Sequence, residues 1–400
     1  MELQERDFRG RESRNGGSGP GVAQLVSHLD GAKPLHPRGC GALCAALLAL
    51  LASVAGAQEA EVFGPSPLPA FEIAGYSIPA GERRQIQLQV SESFAGTSVD
   101  LDVVVLSGTA PGPTLCLIAG IHGDELNGTE IVRSALDQID PTALKGVLIG
   151  VPIVNLHGFR SRSRYLPDRR DLNRHFPGTS RGSSASRIAA RLFDDVVRRC
   201  DYAVDFHTGS FHRSNLTQVR GDLEQPRVTE LARSLGVGVV VHNPGRLGTL
   251  RRTATDAGVP TVLYESGEPL RLAPALILHG VEHVQRLLSS LEMVDPLPDA
   301  PEPAIYRSSS WVRVDHGGIF VPRVHLGESV EQDQVLATIF DPIGGERALL
   351  HAPRGARIIG MAVPQVVIPG FAAFHLGWPG RGVSAPIEDG APPIDMDDTE

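Results

Sequence analysis

Between residues 84 and 106, apolar and polar side chains alternate in "RRQIQLQV" and again in "SVDLDVVVLSG". A period of two gives each segment one apolar face, which predicts two antiparallel strands. After the turn "APGPT" the pattern changes. "TLCLIAG" is a continuous apolar run and predicts a buried strand. "GTEIVRSALDQI" spaces its apolar residues by three and four and predicts a helix. The alternation continues with strand "GVLIGVPIVN", helix "ASRIAARLFDDVVRR", strand "YAVDFH" and helix "RVTELARSLG". Strands "VGVVVHN" and "VPTVLYES" follow, then the long helix "PALILHGVEHVQRLLSSLEMV". This order predicts an α/β fold, a mixed sheet flanked by helices on both faces.

A Pro-rich linker, "PLPDAPEP" at 296–303, closes that region, which spans 58–295. Short apolar segments broken by Gly and Pro follow, such as "WVRVDHGGIFVP" and "ALLHAPRGARIIGMAV". They predict a small, barrel-like, all-β domain over 304–377. Its phrase "HLGESVEQDQVLATI" is similar to biotinyl- and lipoyl-type barrels, but the domain contains no lysine to carry a prosthetic arm. A structural cover is the expected role. Residues 378–400 are rich in Pro, Gly and Asp and predict a disordered acidic tail.

At the other end, "GALCAALLALLASV" follows Lys33, His36 and Arg38 and runs into the small residues Ala55–Ala57. That order is the mark of a secretory signal, so residues 1–57 are read as a leader. Export to a periplasm or to the exterior is the expectation, with a cytoplasmic location if the leader is a mis-assigned start. The apolar run is too short for a comfortable membrane span, so no stable membrane insertion is expected after cleavage. Of four cysteines, Cys40 and Cys44 would leave with the leader. Cys116 and Cys200 could pair or stay as buried thiols. The formal net charge of -9 argues against nucleic acid as a partner. It leaves room for a small anionic substrate held by a local arginine cluster. No pattern in the sequence sets an oligomeric state.

Four segments at predicted strand ends or in long loops carry the candidate chemistry. "HGDE" holds His122 and Glu125. "RYLPDRRDLNRHFPG" holds Arg164, Asp171, Asn173 and Arg174. "DFHTG" holds His207, and "LYESGE" holds Glu265 and Glu268. In an open α/β sheet, ligand sites form at the carboxyl ends of the strands. His122, Glu125 and His207 make a two-histidine, one-carboxylate set that suits a single catalytic Zn2+ ion with one open position. Glu265, at its strand end, is the candidate general acid/base and Glu268 its rival. A second HxxE, His279 and Glu282 in "LHGVEHV", lies inside an amphipathic helix and is read as a solvated face.

Taken together, "HGDE", "DLNRHFPG", "DFHTG" and "LYESG" resemble the succinylglutamate desuccinylase/aspartoacylase family, a branch of the zinc-carboxypeptidase superfamily. The resemblance covers roughly residues 75–377. It implies zinc on His122, Glu125 and His207, with Glu265 as general acid/base. Arg164 matches the arginine that polarises the substrate carbonyl. Asn173 and Arg174 match the pair that grips the substrate carboxylate, and Asp171 a carboxylate that orients a histidine ligand. The implied activity is hydrolysis of an amide bond in an N-acyl amino acid or a related small carboxylate. The same motifs would serve an exported zinc carboxypeptidase or amidase acting on peptides. A non-catalytic binding protein keeping the fold is the third reading.

Overall fold

The computed structural model describes residues 68–92 and 96–379. The predicted leader and residues 380–400 of the predicted tail lie outside them. A short hairpin, β1 (Phe71–Ile73) and β2 (Tyr76–Ile78), leads into the antiparallel pair β3 (Arg83–Glu92) and β4 (Ser98–Ser107). The alternation seen in the sequence becomes burial here: Ile86, Leu88 and Val90 of β3 and Leu101, Val103 and Val105 of β4 face the core.

The central region runs β5 (Ala110–Ala119), α1 (Leu126–Gln138), β6 (Lys145–Val151), α2 (Leu156–Ser161), α3 (Ser184–Asp195), β7 (Tyr202–His207) and β8 (Arg213–Gly221). It continues with α4 (Pro226–Ser234), β9 (Val239–His242), α5 (Leu250–Asp256), β10 (Thr261–Gly267) and α6 (Pro274–Ser290). Strands β6, β5, β7 and β10 lie side by side and parallel. Both faces of these strands are covered, which is why they read as unbroken apolar runs. On one face Ile131 and Leu136 of α1, Leu231 of α4 and Val284 of α6 meet Leu117, Val204 and Val262. On the other, Ile188 and Leu192 of α3 and Leu250 of α5 meet Cys116, Ile118 and Ala203. Cys116 of β5 and Cys200, just before β7, form a disulfide with their Cα atoms 5.9 Å apart.

The chain ends with β11 (Ala304–Tyr306), β12 (Ser308–Arg313), β13 (Gly318–Pro322), β14 (Ser329–Val330), β15 (Val335–Phe340), β16 (Glu346–His351), β17 (Ala356–Ala362), β18 (Gln365–Val367) and β19 (Ala372–Trp378). These strands close no barrel among the described residues. They split between two sheets. Among the described residues the main sheet has 13 strands, with the path β12-β19-β17-β8-β10-β7-β5-β6-β4-β3. Strands β16, β15, β13 and β18 form a separate sheet of four. The barrel expectation gives way because β17 takes the free edge of β8, pairing Gly360 with Asn215. The ladder runs on instead of turning back on itself. No helix among the described residues is long and apolar enough to cross a membrane.

Candidate active site

The site forms beyond the carboxyl ends of β5, β7 and β10. Strand β5 stops at Ala119, and Gly120 turns the chain at φ +65°, a conformation that favours glycine. His122 and Glu125 follow within the turn. Glu125 occupies the position before α1, yet its side chain caps no helix N–H. It faces two histidines instead. Asn127 lies in the first turn of α1. Its amide bridges β10 and the approach to α6, donating to the Ser266 carbonyl at 3.1 Å and accepting from the Ala273 N–H at 2.9 Å.

His122 Nδ1 lies 2.9 Å from Glu125 Oε1 and 3.1 Å from His207 Nδ1, and His207 Nδ1 lies 2.8 Å from Glu125 Oε2. All three residues are buried, and their ligand atoms lie within 4.8 Å of one another. Each histidine turns its other nitrogen to a carboxylate. His122 Nε2 bonds Asp171 Oδ1 at 3.0 Å, and His207 Nε2 lies 3.0 Å from Asp205 Oδ2. That arrangement leaves both Nδ1 atoms beside the Glu125 carboxylate, 3.1 Å from each other. A tetrahedral zinc set has ligand atoms about 3.3 Å apart, so the residues present fit a zinc ion. Burial pushes the Glu125 carboxyl up, but the adjacent His122 and His207 outweigh it and hold it low. Burial likewise opposes a charged His207, while Asp205 and Glu125 on either side raise it well above its usual range.

Arg164 lies against this group. Its Nη1 donates to Glu125 Oε1 at 2.9 Å, and its Nη2 to Asp171 Oδ2 at 3.1 Å. Asp171 also caps the 3-10 turn Leu172–Arg174, accepting from the Asn173 N–H. Asn173 spends its amide oxygen on the Leu250 N–H, at the start of α5. Arg174 is half-exposed at the rim.

Glu265 stands beside His207 in the parallel β10–β7 register and is buried. Asn215 Nδ2 donates to its Oε2 at 2.9 Å, and Arg220 Nη1 lies 3.4 Å from its Oε1. Burial pushes its carboxyl above the usual range, against the pull of Arg220 and His207. The rival, Glu268, pairs with Arg271 on the loop. His279 and Glu282 are exposed on α6.

One cavity of about 210 Å³ is lined by His122, Glu125, Arg164, Asp171, Asn173, Arg174, His207 and Glu265, but not by Glu268. Seven arginines and three carboxylates share its walls. Arg169 and Arg251 are among the arginines; Arg170 and Arg252 pair instead with Asp168 and Asp256. Arg213 lines the wall with its guanidinium over Trp311 and Phe371. Asp205, Asn215 and Arg220 were not anticipated. Asp205 had a signal, since it sits two residues before His207 on one strand and therefore shares its face. Asn215 and Arg220 lie on β8, which the apolar pattern did not reveal.

Residues 111–291 match the family model described as the succinylglutamate desuccinylase/aspartoacylase catalytic domain. The chain is 26% identical over 295 residues to an N-alpha-acetyl-L-2,4-diaminobutyric acid deacetylase of Halomonas elongata, covering 69% of this chain and 84% of that protein. Among solved structures, it resembles a succinylglutamate desuccinylase/aspartoacylase from Rhodobacter sphaeroides, with TM-score 0.68, 23% identity and coverage of 75% of this chain and 96% of the other. It also resembles the product-bound ectoine utilization protein EutE (DoeB) from Ruegeria pomeroyi, with TM-score 0.69, 22% identity and coverage of 76% and 98%. The two structural likenesses establish the fold.

Proposed function

We propose, on the premise that this chain belongs to the succinylglutamate desuccinylase/aspartoacylase family, that it is a zinc-dependent deacylase of N-acyl amino acids. One observation carries the reading: three buried metal donors, a carboxylate on the neighbouring strand and an arginine-rich wall meet in one small cavity. His122, Glu125 and His207 would hold one ion per chain. Zinc bound there would acidify a water molecule and polarise the amide carbonyl.

The protein's own residues do the rest. Glu265 takes the proton from water and returns it to the leaving nitrogen. Its raised pKa suits it to that second step. Arg164 offers a permanent cation to the oxygen on which negative charge grows. Asn173 has its amide oxygen engaged, so its Nδ2 is the group left to grip a carboxylate, with Arg174 beside it. The excess of arginine over carboxylate favours a substrate with two anionic groups, such as an N-acyl acidic amino acid. The cavity size and the Trp311 wall favour a small substrate over an extended peptide.

The test starts from a panel of N-acetyl-L-aspartate, N-acetyl-L-glutamate and N-acetyl-L-2,4-diaminobutyrate, assayed with zinc and with chelator. The two acidic compounds are expected to show the higher kcat/KM. A preference for the cationic one overturns the anionic reading. In Glu265→Gln, turnover of the best substrate is expected to fall at least about 100-fold with zinc content retained. Full activity in the zinc-loaded variant removes Glu265 from its role.

A further inference from the structure

Four residues form one row across neighbouring strands. Trp311 of β12 pairs with His375 of β19, His375 with Gly360 of β17, and Gly360 with Asn215 of β8. Directly opposed residues of antiparallel strands share a face. Trp311 and Asn215, at the two ends of the row, line the cavity. The His375 ring stacks on Trp311 at 4.7 Å and 10° and is fully buried. Burial and the nearby charge of Arg220 hold it well below the usual histidine range, so it stays neutral.

Gly360 is the narrow point of the row. A methyl group there would lie 2.6 Å from Asn215 Oδ1 and 3.2 Å from His375 Cβ. The two flanking side chains therefore close over a position that must lack one. Asn215 Oδ1 has no hydrogen-bond partner among the described residues. The amide is held by shape on that side and by its bond to Glu265 on the other.

Strand β8 contributes a second device. Asn215 pairs with Gly267, but Gln218 pairs with Glu265. Three steps on β8 thus match two on β10, which is a β-bulge. The extra residue brings Asn215 and Arg220, five apart, onto one face. They flank the two oxygens of a single carboxylate.

We propose that Gly360 is a positioning residue for Glu265. Its missing side chain leaves the Asn215 amide the room it occupies, and so lets β17 set the aim of the carboxylate. This rests on Glu265 being the acid/base assigned above.

The probe is Gly360→Ala. Gly360 is not at positive φ, so alanine strains no backbone there. Its methyl meets the tip of Asn215, a side chain able to move. With the best panel substrate, kcat is expected to fall about 10- to 100-fold, as a misplaced catalytic group allows, with KM and zinc content held. Asn215→Ala should lose at least as much. The double variant should lose no more than Asn215→Ala alone, because both changes act through one amide. Additive losses, or a wild-type kcat in Gly360→Ala, overturn the proposal. A second readout needs no turnover. In a crystal structure of zinc-free Gly360→Ala, the Asn215–Glu265 bond should be broken, and its survival at 2.9 Å also overturns the proposal. If Gly360→Ala does not fold, Asn215→Ala decides alone, and a wild-type kcat there overturns the proposal. Full turnover in Glu265→Gln would sink the acid/base reading, whereas wild-type kcat in Gly360→Ala of an enzyme that Glu265→Gln inactivates sinks the row alone.

Discussion

A histidine that offers Nδ1 to a metal must keep its proton on Nε2. His122 meets that requirement with a hydrogen bond to Asp171 at 3.0 Å, while His207 Nε2 lies at ion-pair distance, 3.0 Å, from Asp205. The two acids come from unlike places, a loop and the strand that bears the ligand itself. Asp205 is wholly buried, so its charge is little screened and its effect on the ring is strong. Asp205→Asn keeps the shape and removes the charge. Zinc affinity, read by competition with a chelator, is expected to fall about 10- to 100-fold. An unchanged affinity would mean that Asp205 only fills space. At this scale much was readable in advance. His122, Glu125, His207 and Glu265 stand at strand ends in short words with several polar groups. Asn127 shows the limit: its side-chain partners, the Ser266 carbonyl and the Ala273 N–H, lie over a hundred residues away, and no local rule finds them.

Among elements, the helices and the parallel strands were legible because burial on one side or both leaves a plain period. Strand β8 was not. "RSNLTQVRG" carries two large apolar residues, Leu216 and Val219, set three apart. A strand read by alternation needs them two or four apart. The bulge opposite β10 accounts for the spacing, and the polar cavity wall accounts for the lack of other apolar groups. The segment hardest to read is thus the one that holds Glu265 from both sides. The C-terminal strands show a related limit. Each was readable as a strand, but short Gly-broken segments do not say which neighbour they will join. Only the register of Gly360 with Asn215 does.

For the molecule as a whole, the disulfide joins residues 84 apart in sequence. It ties β5, which leads to His122, to the approach of β7, which leads to His207. Two cysteines define no framework, so the sequence left this pairing open. Closing a loop of that length restricts the unfolded chain, and its removal is expected to cost about 2–5 kcal/mol. The double Cys116→Ser/Cys200→Ser variant should show that loss in its urea midpoint. An unchanged midpoint would mean the bond does not stabilise the fold.

Strand β17 has one further consequence, for inheritance. A sheet edge left bare offers its N–H and C=O groups to any other strand it meets. If the chain were cut at the 296–303 linker, the first half of β8 would become such an edge, and Asn215 and Arg213 would stand on it. The C-terminal strands therefore cannot be shuffled between genes as a detachable cassette. Whatever replaced them would have to supply a new neighbour for β8, in register, and with a glycine opposite Asn215.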